Sequence, residues 1–334
     1  MSPCDIIMKK IIFISIMTIA LMMTSGPMYG QSLNGNLSII GSNTVFPIIA
    51  EAQARWGEIH PEVQFATDGP GSGAGFDALL DGTADLAPMS RAPKASELQE
   101  ALDAGQSIKQ LTIARDALIV VLPPANPITD LTKDQVSGIF GGNITDWTEV
   151  DNSLDFSYMI DTTIRVVERD QDSGTHDFFN EFFLGGGGVP ASDLGANYAQ
   201  YAGTGDLFSD VAENQNAIGY GGMAYLDNTI KAVSIDGVEA NKVNAGDGTY
   251  SVTRPLFVVW DTNDEMNNPL IKEFTDYLMS PEGQYIADSV GYVAIEPMAT
   301  GYTQAAAQDE TPFNILGLIL SLSILGLIPK NRSS

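Results

Sequence analysis

Four strand-like runs of this chain end in short segments that are rich in glycine, hydroxyl or arginine side chains. The segments are Gly41–Val45, Gly69–Gly75, Ser90–Arg91 and Arg169–Thr175. Strand-like and helix-like runs alternate around them, which favours an α/β fold. In open α/β sheets, ligands bind beyond the carboxyl ends of the strands. Because all four segments take that position, we expect them to converge on one binding site.

The segment Arg169–Thr175 (RDQDSGT) indicates the chemistry of that site. It lies between a strand-like and a helix-like run, which places Ser173, Gly174 and Thr175 at a helix N-terminus. Backbone N–H groups are unpaired there, and the helix dipole favours negative charge. The guanidinium of Arg169 adds a planar fork of donors, so the segment predicts a site for a tetrahedral oxyanion. The alternative is that Ser173 only caps the helix and that Arg169 only pairs with a neighbouring aspartate.

The glycine-rich segment Gly69–Gly75 (GPGSGAG) permits close approach of the backbone to a ligand, and Ser72 supplies a hydroxyl. It lacks the Lys-Ser/Thr of a P-loop and the spacing of a dinucleotide-binding fingerprint. A flexible loop is the alternative. The segment Gly41–Val45 leads into a helix near Pro47, and proline suits a first helical turn. Ser90–Arg91 brings a further hydroxyl and a second guanidinium.

Eight motifs then carry a family resemblance. They are GSNTVFP from Gly41, GSGAG from Gly71, GTADLAPMSR from Gly82, LTKDQVSGIFGGNITDW from Leu131, RDQDSGT from Arg169, AIGYGGMAY from Ala217, RPLFVV from Arg254 and SPEGQYIADSVGYVAI from Ser280. In this order, and over about residues 37–297, the chain resembles the periplasmic phosphate-binding proteins of ABC transporters, the PstS type.

The resemblance implies a two-lobed α/β clamp, the type II periplasmic-binding-protein fold, with mixed sheets and helices on both faces. Lobe I would comprise residues 32–115 and 252–302, and lobe II residues 116–251, with hinge crossings near Arg115 and Val252. One phosphate ion would be buried between the lobes without water. Such an ion favours closure, because only the closed state offers the donors of both lobes.

The resemblance also implies ligand contacts at the positions that match the family motifs. They are Thr44, Val45, Ser72, Arg169, Ser173, Gly174 and Thr175, with Asn43 as a neighbouring alternative to Thr44.

Ser90 marks a departure from some members of the family, which carry an aspartate at this position. That aspartate accepts the proton of phosphate and helps to reject sulfate. Ser90 and Arg91 together resemble the Ser-Arg variant of other branches, which implies that both lie at the ligand. A sulfate-like oxyanion therefore stays open as the ligand. Asp85, Asp170 and Asp172 are candidates for a spare acceptor, and each has the alternative role of an arginine partner or a helix cap.

Both ends of the chain have the composition of targeting segments. Residues 1–30 combine Lys9–Lys10, an apolar run and small turn residues, which is typical of a secretory signal. Residues 303–312 form a polar linker. The apolar run and terminal basic residues of 313–334 resemble the sorting tails that sortase-like enzymes process, and a retained short membrane helix is the alternative. Either tail would tether the protein outside the membrane.

The charge balance narrows the choice of partners. Four of the 16 Lys and Arg and one of the 42 Asp and Glu lie outside residues 31–310, which leaves that stretch with 12 positive and 41 negative side chains, a balance of −29. Such a surface repels nucleic acid. Affinity for an anion must then come from short-range, buried donors, which salt screens little.

Few residues of the chain fit a catalytic site or a metal-binding site. A serine hydrolase needs a nucleophile, a base and an orienting acid, and the chain has only His60 and His176 as histidine bases. Neither Ser72 nor Ser173 lies in a G-x-S-x-G motif. The segment Asp261–Glu265 has a calcium-like spacing but lacks the glycine of a calcium loop, so we expect a turn there.

The sequence therefore predicts a non-catalytic extracytoplasmic receptor, with no cofactor or metal, that delivers phosphate to a membrane ABC permease. We expect a monomer that does not bind nucleic acid. The alternatives are a general oxyanion binder, a phosphoesterase, and a surface-anchored adhesion protein that reuses the fold.

Overall fold

A computed structural model of the chain describes residues 33–187 and 197–296. The predicted signal segment 1–30, the linker 303–312 and the tail 313–334 lie outside the described residues. Within the described ranges, no helix is both long and apolar enough to span a bilayer.

Strands and helices alternate in the first third of the chain. They are β1 (Gly35–Ile40), α1 (Phe46–Ile59), β2 (Val63–Asp68), α2 (Ser72–Leu80), β3 (Ala87–Met89), α3 (Ala95–Asp103) and β4 (Ile108–Leu122).

The middle of the chain is built from shorter elements. They are β5 (Asp130–Leu131), α4 (Lys133–Phe140), α5 (Trp147–Val150), β6 (Arg165–Arg169), α6 (Gly174–Leu184), β7 (Tyr198–Tyr201), α7 (Thr204–Glu213), β8 (Ala217–Gly222), a 3-10 turn (Met223–Tyr225), β9 (Lys231–Ala232), β10 (Ser234–Ile235) and α8 (Lys242–Asp247). The last part contains β11 (Thr253–Asp261), α9 (Thr262–Asn267), α10 (Pro269–Met279) and α11 (Pro281–Ser289).

The sheets are mixed, which confirms the predicted fold class. The largest sheet has the order β3-β11-β4-β8-β6-β7, with β9 paired to β4. Strand β6 is parallel to β7 and β8, whereas β4 is antiparallel to β8 and β11. Strands β1 and β2 form a parallel pair, and an isolated bridge joins Ile39 of β1 to Leu86, the residue before β3.

One hydrophobic core lies between α1 and the last helices. The apolar residues of α1 recur on one face, so that Ile48, Ile49, Ala52 and Trp56 are all buried, as the sequence predicts. The ring of Trp56 meets the ring of Phe274 from α10 edge to face, with centroids 5.3 Å apart. This arrangement is favourable for aromatic pairs.

A second core fills the middle part of the chain, between α4, α6 and β8. The ring of Phe179 stacks on Tyr220 with centroids 3.8 Å apart, and Phe140 packs against both. Trp147 is fully buried and donates from its indole Nε1 to the carbonyl of Asn216 at 3.0 Å. The polar edge of this large apolar side chain is therefore satisfied.

The two cores meet along the long strand β4. Ile113 and Ala114 belong to the first core, and the residues from Ala117 onward belong to the second. The first core draws its other buried residues from both ends of the described chain, and the second from the middle. The lobe boundaries themselves stay a prediction.

Strand β11 is apolar on both faces because it is covered on both. Leu256 and Val258 belong to the first core, whereas Phe257 and Val259 join a third cluster with residues of α2, β3 and α3. Successive side chains of a strand point to opposite faces, so the apolar run in this segment serves two layers of helices.

We predict that Phe274→Ala lowers the free energy of unfolding by about 3–5 kcal/mol, because it leaves a cavity beneath Trp56. Urea denaturation followed by tryptophan fluorescence measures the change. The control is Ile160→Ala, which removes a fully exposed apolar side chain and should change stability by less than about 0.5 kcal/mol. Equal effects of the two substitutions would contradict the placement of the first core.

Candidate functional site

The helix that follows β6 begins where the sequence predicts. Ser173 is the N-cap of α6, and its Oγ accepts hydrogen bonds from the backbone N–H groups of Thr175 at 3.2 Å and His176 at 3.4 Å. Capping by serine stabilises a helix start. Ser173 therefore has the structural role that the sequence left open, and it also lies at the predicted site.

The glycine-rich segment packs directly against the loop that precedes α6. The N–H of Gly73 donates to the carbonyl of Asp172 at 3.2 Å. Gly71 has a φ of 136°, and a Cβ there would lie 2.5 Å from the same carbonyl oxygen. Only glycine fits both the conformation and the space. The predicted convergence of these two segments is present in the structure.

Gly174 brings the first turn of α6 against two serines. A Cβ at Gly174 would lie 2.8 Å from Oγ of Ser90 and closer still to Oγ of Ser72. The two serine hydroxyls are 3.3 Å apart, and the N–H of Ser90 donates to Oγ of Ser72 at 3.1 Å. The segments that follow β2, β3 and β6 therefore meet at one point.

Thr44 joins the same cluster from the segment that follows β1. Its Oγ1 lies 2.7 Å from Oγ1 of Thr175, and both side chains are buried. The neighbouring Asn43 instead accepts from the N–H of Thr204 at 3.1 Å, so Thr44 is the residue of this segment whose hydroxyl reaches α6. Val45 is the buried N-cap of α1, and its N–H donates to the carbonyl of Ser42 at 3.1 Å.

Arg169 is a buried cation at the end of β6. Its Nη1 donates to Oγ1 of Thr204 at 3.0 Å and its Nε to the carbonyl of Tyr201 at 3.2 Å, and Nη2 donates to the carbonyl of Ala202. Burial lowers the pKa of Arg169, and the charge of Asp170 opposes that shift. A guanidinium held by neutral oxygens in a buried site favours a nearby anion.

Arg91 has a different environment from the one that the resemblance implies. Its guanidinium donates to Glu97 at 2.5 and 2.8 Å and to Asp177 of α6 at 2.7 Å. Lys94 Nζ also contacts Asp177, at 2.8 Å. These carboxylates tie the Ser90 segment to α6 and occupy the fork of Arg91, so a direct contact with a ligand stays a prediction for this residue.

Arg254 is the site residue that sequence reasoning missed. It lies in β11, is buried, and pairs with the equally buried Asp116 at 2.9 Å. Its Nη2 donates to Oγ1 of Thr175 at 3.0 Å and lies 3.5 Å from Oγ1 of Thr44. The available signal was a charged residue at the start of the apolar run RPLFVVW, where a charge requires a buried partner or a function.

Of the three aspartates that the sequence offers as spare acceptors, Asp85 has a structural role, and the carboxylates of Asp170 and Asp172 have no assigned role. Asp85 accepts from the N–H of Ser38 at 2.7 Å and from Asn268 at 3.0 Å, so it joins β1 to the start of α10. Asp172 contributes its backbone carbonyl to the glycine-rich segment, and the role of its carboxylate stays a prediction. Oδ1 of Asp170 is buried without a hydrogen-bond partner among the described residues.

The alternative catalytic and metal residues have structural partners. The imidazole of His176 contacts the side-chain amide of Asn180 at 3.1 Å. Asp261 caps α9 by accepting from the N–H of Asn263 at 3.0 Å, and Glu265 accepts from the indole of Trp260 at 2.8 Å. The predicted turn at this segment is wrong, because Asp261 caps a short helix, α9, that begins at Thr262. In residues 33–187 and 197–296, no cluster of three or more His, Cys, Asp or Glu is arranged to hold a metal ion.

We predict that Gly174→Ala lowers the free energy of unfolding by about 1–3 kcal/mol, because the added methyl displaces Ser72 and Ser90. The control is Gly205→Ala in the first turn of α7, where a Cβ meets no atom within 4 Å. That substitution should be neutral or should stabilise the protein by up to about 1 kcal/mol. Denaturant unfolding of both variants measures the difference, and a stabilising Gly174→Ala would contradict the close approach.

Comparisons with known proteins agree with this architecture. A sequence profile of the PBP superfamily domain matches residues 26–282. The phosphate-binding protein PstS of Staphylococcus epidermidis is 29% identical over 274 residues, which cover 79% of this chain and 80% of that protein.

Two solved structures are similar over most of the chain. A phosphate ABC transporter substrate-binding protein of Clostridium perfringens, crystallised with bound phosphate, is 32% identical, with a TM-score of 0.67, and the match covers 78% of this chain and 100% of that one. An ABC-type phosphate transport receptor from Vibrio cholerae is 29% identical, with a TM-score of 0.60 and coverage of 77% and 99%. The chain therefore belongs to the PBP superfamily, as a PstS-type solute-binding protein.

Proposed function

We propose that the protein is a receptor that binds inorganic phosphate between Arg169 and the cluster of buried hydroxyls. The observation that carries the proposal is the convergence of four separate segments on one point. Thr44 and Thr175 lie 2.7 Å apart there, and Ser72 and Ser90 lie 3.3 Å apart. The ligand contacts would come from the residues named from the sequence, which are Thr44, Val45, Ser72, Ser90, Arg91, Arg169, Ser173, Gly174 and Thr175.

The chemistry of these groups suits a tetrahedral oxyanion. Helix α6 and helix α2 both begin at the cluster, and helix N-termini offer N–H donors and a favourable dipole to an anion. Arg169 adds a permanent charge that is removed from bulk water. Phosphate is favoured over other oxyanions because the relatives from Staphylococcus, Clostridium and Vibrio carry phosphate in their names.

The bound ion would join two lobes, with lobe I formed by residues 32–115 and 252–302 and lobe II by 116–251. Thr44, Ser72 and Ser90 would then contact it from lobe I, and Arg169 to Thr175 from lobe II. The separation of the first and second cores along β4 supports this division. Closure follows from binding because an open clamp offers the ion only half of its donors.

The proposed receptor has no catalytic role and delivers its ligand to a membrane ABC permease as a monomer. The serine hydroxyls of the cluster contact each other, and Ser173 accepts from the backbone of α6. The imidazole of His176 contacts Asn180 in place of a serine. A hydrolase would need a base within reach of a nucleophile. Steady-state assay of a phosphomonoester with the purified protein tests this point, and turnover would contradict it.

The receptor would work outside the membrane, exported by residues 1–30 and tethered through residues 313–334. The composition of these two segments supports the proposal, as does their position outside the matched domain, apart from residues 26–30. A sortase-like enzyme would process the tail. Deletion of residues 303–334 should release the protein into the culture medium, as measured by immunoblotting of fractions. Retention of the truncated protein on the cells would contradict tethering by the tail.

We predict that the protein binds phosphate and that its affinity changes less than about tenfold between low and high salt, because the donors are buried. Isothermal titration calorimetry with phosphate and with sulfate at both ionic strengths measures this. Sulfate should bind at least about tenfold more weakly. Equal affinity for both anions would identify a general oxyanion receptor, and no heat with either anion would contradict the proposed function.

We predict that Arg169→Ala weakens phosphate binding by about a hundredfold or more, because charge-assisted hydrogen bonds to a buried anion are lost. The control is Arg55→Ala, which removes a partly exposed arginine that pairs with Glu51 one helical turn away. Circular dichroism and urea unfolding separate loss of binding from loss of fold. Unchanged phosphate affinity in a folded Arg169→Ala protein would contradict the assignment.

A further inference from the structure

Two Arg–Asp pairs with a buried aspartate differ in how their charges are satisfied: the side chain of Arg165 is 23% exposed, whereas that of Arg254 is 1% exposed. In the first pair, Asp210 of α7 accepts from Nε and Nη2 of Arg165 at 2.8 and 2.6 Å. It also accepts from the hydroxyl of Tyr201 at 2.7 Å and from the amide of Asn214 at 2.7 Å. Both carboxylate oxygens have donors, so this is a closed structural network.

The second pair, Arg254 and Asp116, is incomplete. Both side chains are only 1% exposed, and the two residues lie directly opposite each other on β11 and β4. Oδ2 of Asp116 accepts from both Nε and Nη2 of Arg254, at 3.2 and 2.9 Å. Oδ1 has no donor at hydrogen-bond distance in the part of the chain that the structure describes, and the backbone N–H groups of Met223 and Ala117 lie near the carboxylate. Burial raises the pKa of Asp116, and the charge of Arg254 opposes the shift.

The guanidinium of Arg254 is directed at the candidate site rather than into a network of its own. Nη2 donates to Oγ1 of Thr175 at 3.0 Å and lies 3.5 Å from Oγ1 of Thr44. Nη1 lies 3.4 Å from the carbonyl of Gly174. The ring of Phe178 lies 5.4 Å from the guanidinium carbon and packs on its face, which fixes the plane of the fork. The same edge of the guanidinium therefore lies close to the hydroxyl of Thr175 at the start of α6 and to that of Thr44 in the segment after β1.

Stability alone does not account for this pair. A buried ion pair costs desolvation, and a well-packed apolar pair of similar size is often as stable or more stable. A carboxylate oxygen without a donor adds to that cost. The pair is placed beside the hydroxyl cluster, where Arg254 and Arg169 supply two positive charges that face the carboxylates of Asp116 and Asp170.

We propose that Arg254 is a direct contact of the bound oxyanion, a second guanidinium beside Arg169, and that Asp116 is its buried counterion. This inference rests on the proposed phosphate function and adds a residue to its site. The oxygen atoms of the ligand accept from Nη1 and Nη2 in the closed protein. Without Arg254, Arg169 would be the one guanidinium facing the ligand, because the fork of Arg91 is already bonded to Glu97 and Asp177.

The test replaces each Arg–Asp pair by apolar residues of similar size. The variant Asp116→Leu with Arg254→Met removes the charges at the site, and the matched control Arg165→Met with Asp210→Leu removes them from the structural pair. Both variants are made in the full-length protein and titrated calorimetrically with inorganic phosphate, after circular dichroism shows that they are folded. We expect the control to bind within about twofold of the wild type. We expect the site variant to lose roughly ten- to a hundredfold or more in affinity, the range of one charged hydrogen-bond set.

A second variant keeps the test decisive if the double substitution impairs folding. Arg254→Lys retains the positive charge and the pairing with Asp116 but lacks the planar fork. It should weaken phosphate binding at least about tenfold while the protein stays folded. Phosphate affinity within about twofold of wild type, in either folded variant of Arg254, would overturn the inference. If the wild type itself does not bind phosphate, the proposed function fails before Arg254 is tested, so the two failures are distinguishable.

Discussion

The contact of Gly174 with Ser72 and Ser90 is the constraint on which the geometry of the site depends. It brings the first turn of α6 against the segments that follow β2 and β3, and a side chain at Gly174 would hold these segments apart. The approach of Thr44 to Thr175 follows from the same juxtaposition. Local sequence makes helix starts of the segments at Val45, Ser72 and Ser173, and their convergence with Ser90 is a property of packing. The buried hydroxyls become one site only when these contacts form together.

The net charge of the chain is strongly negative, whereas the interior near the proposed site contains positive side chains. The stretch 31–310 carries a formal balance of −29, yet two arginines of the proposed site, Arg169 and Arg254, are buried. Long-range attraction cannot concentrate an anion at such a protein. We expect short hydrogen bonds from desolvated donors to supply the affinity, with little dependence on salt. The acidic surface and the cationic interior are therefore compatible, because they act over different distances.

Much of the fold could be predicted from local sequence, because it depends on local patterns. The apolar face of α1 and the helix start at Ser173 follow from periodicity and a capping residue, whereas the mixed sheets are expected only from the family resemblance. The role of Arg254 could not be predicted in this way. Its partner Asp116 is 138 residues away, and the antiparallel register of β11 on β4 places them opposite each other. Arg91 likewise meets Asp177 across 86 residues, which no short-range pattern shows.

The most direct test of this account is a crystal structure of the protein grown with inorganic phosphate. We expect one phosphate ion whose oxygen atoms lie within hydrogen-bond distance of Arg169, Arg254, Thr175 and Ser72, with no water between them. Density for phosphate at the protein surface, or at a site that Arg169 does not contact, would contradict the assignment of the site. A phosphate ion at the cluster that contacts Arg169 but not Arg254 would support the receptor and reject the second guanidinium.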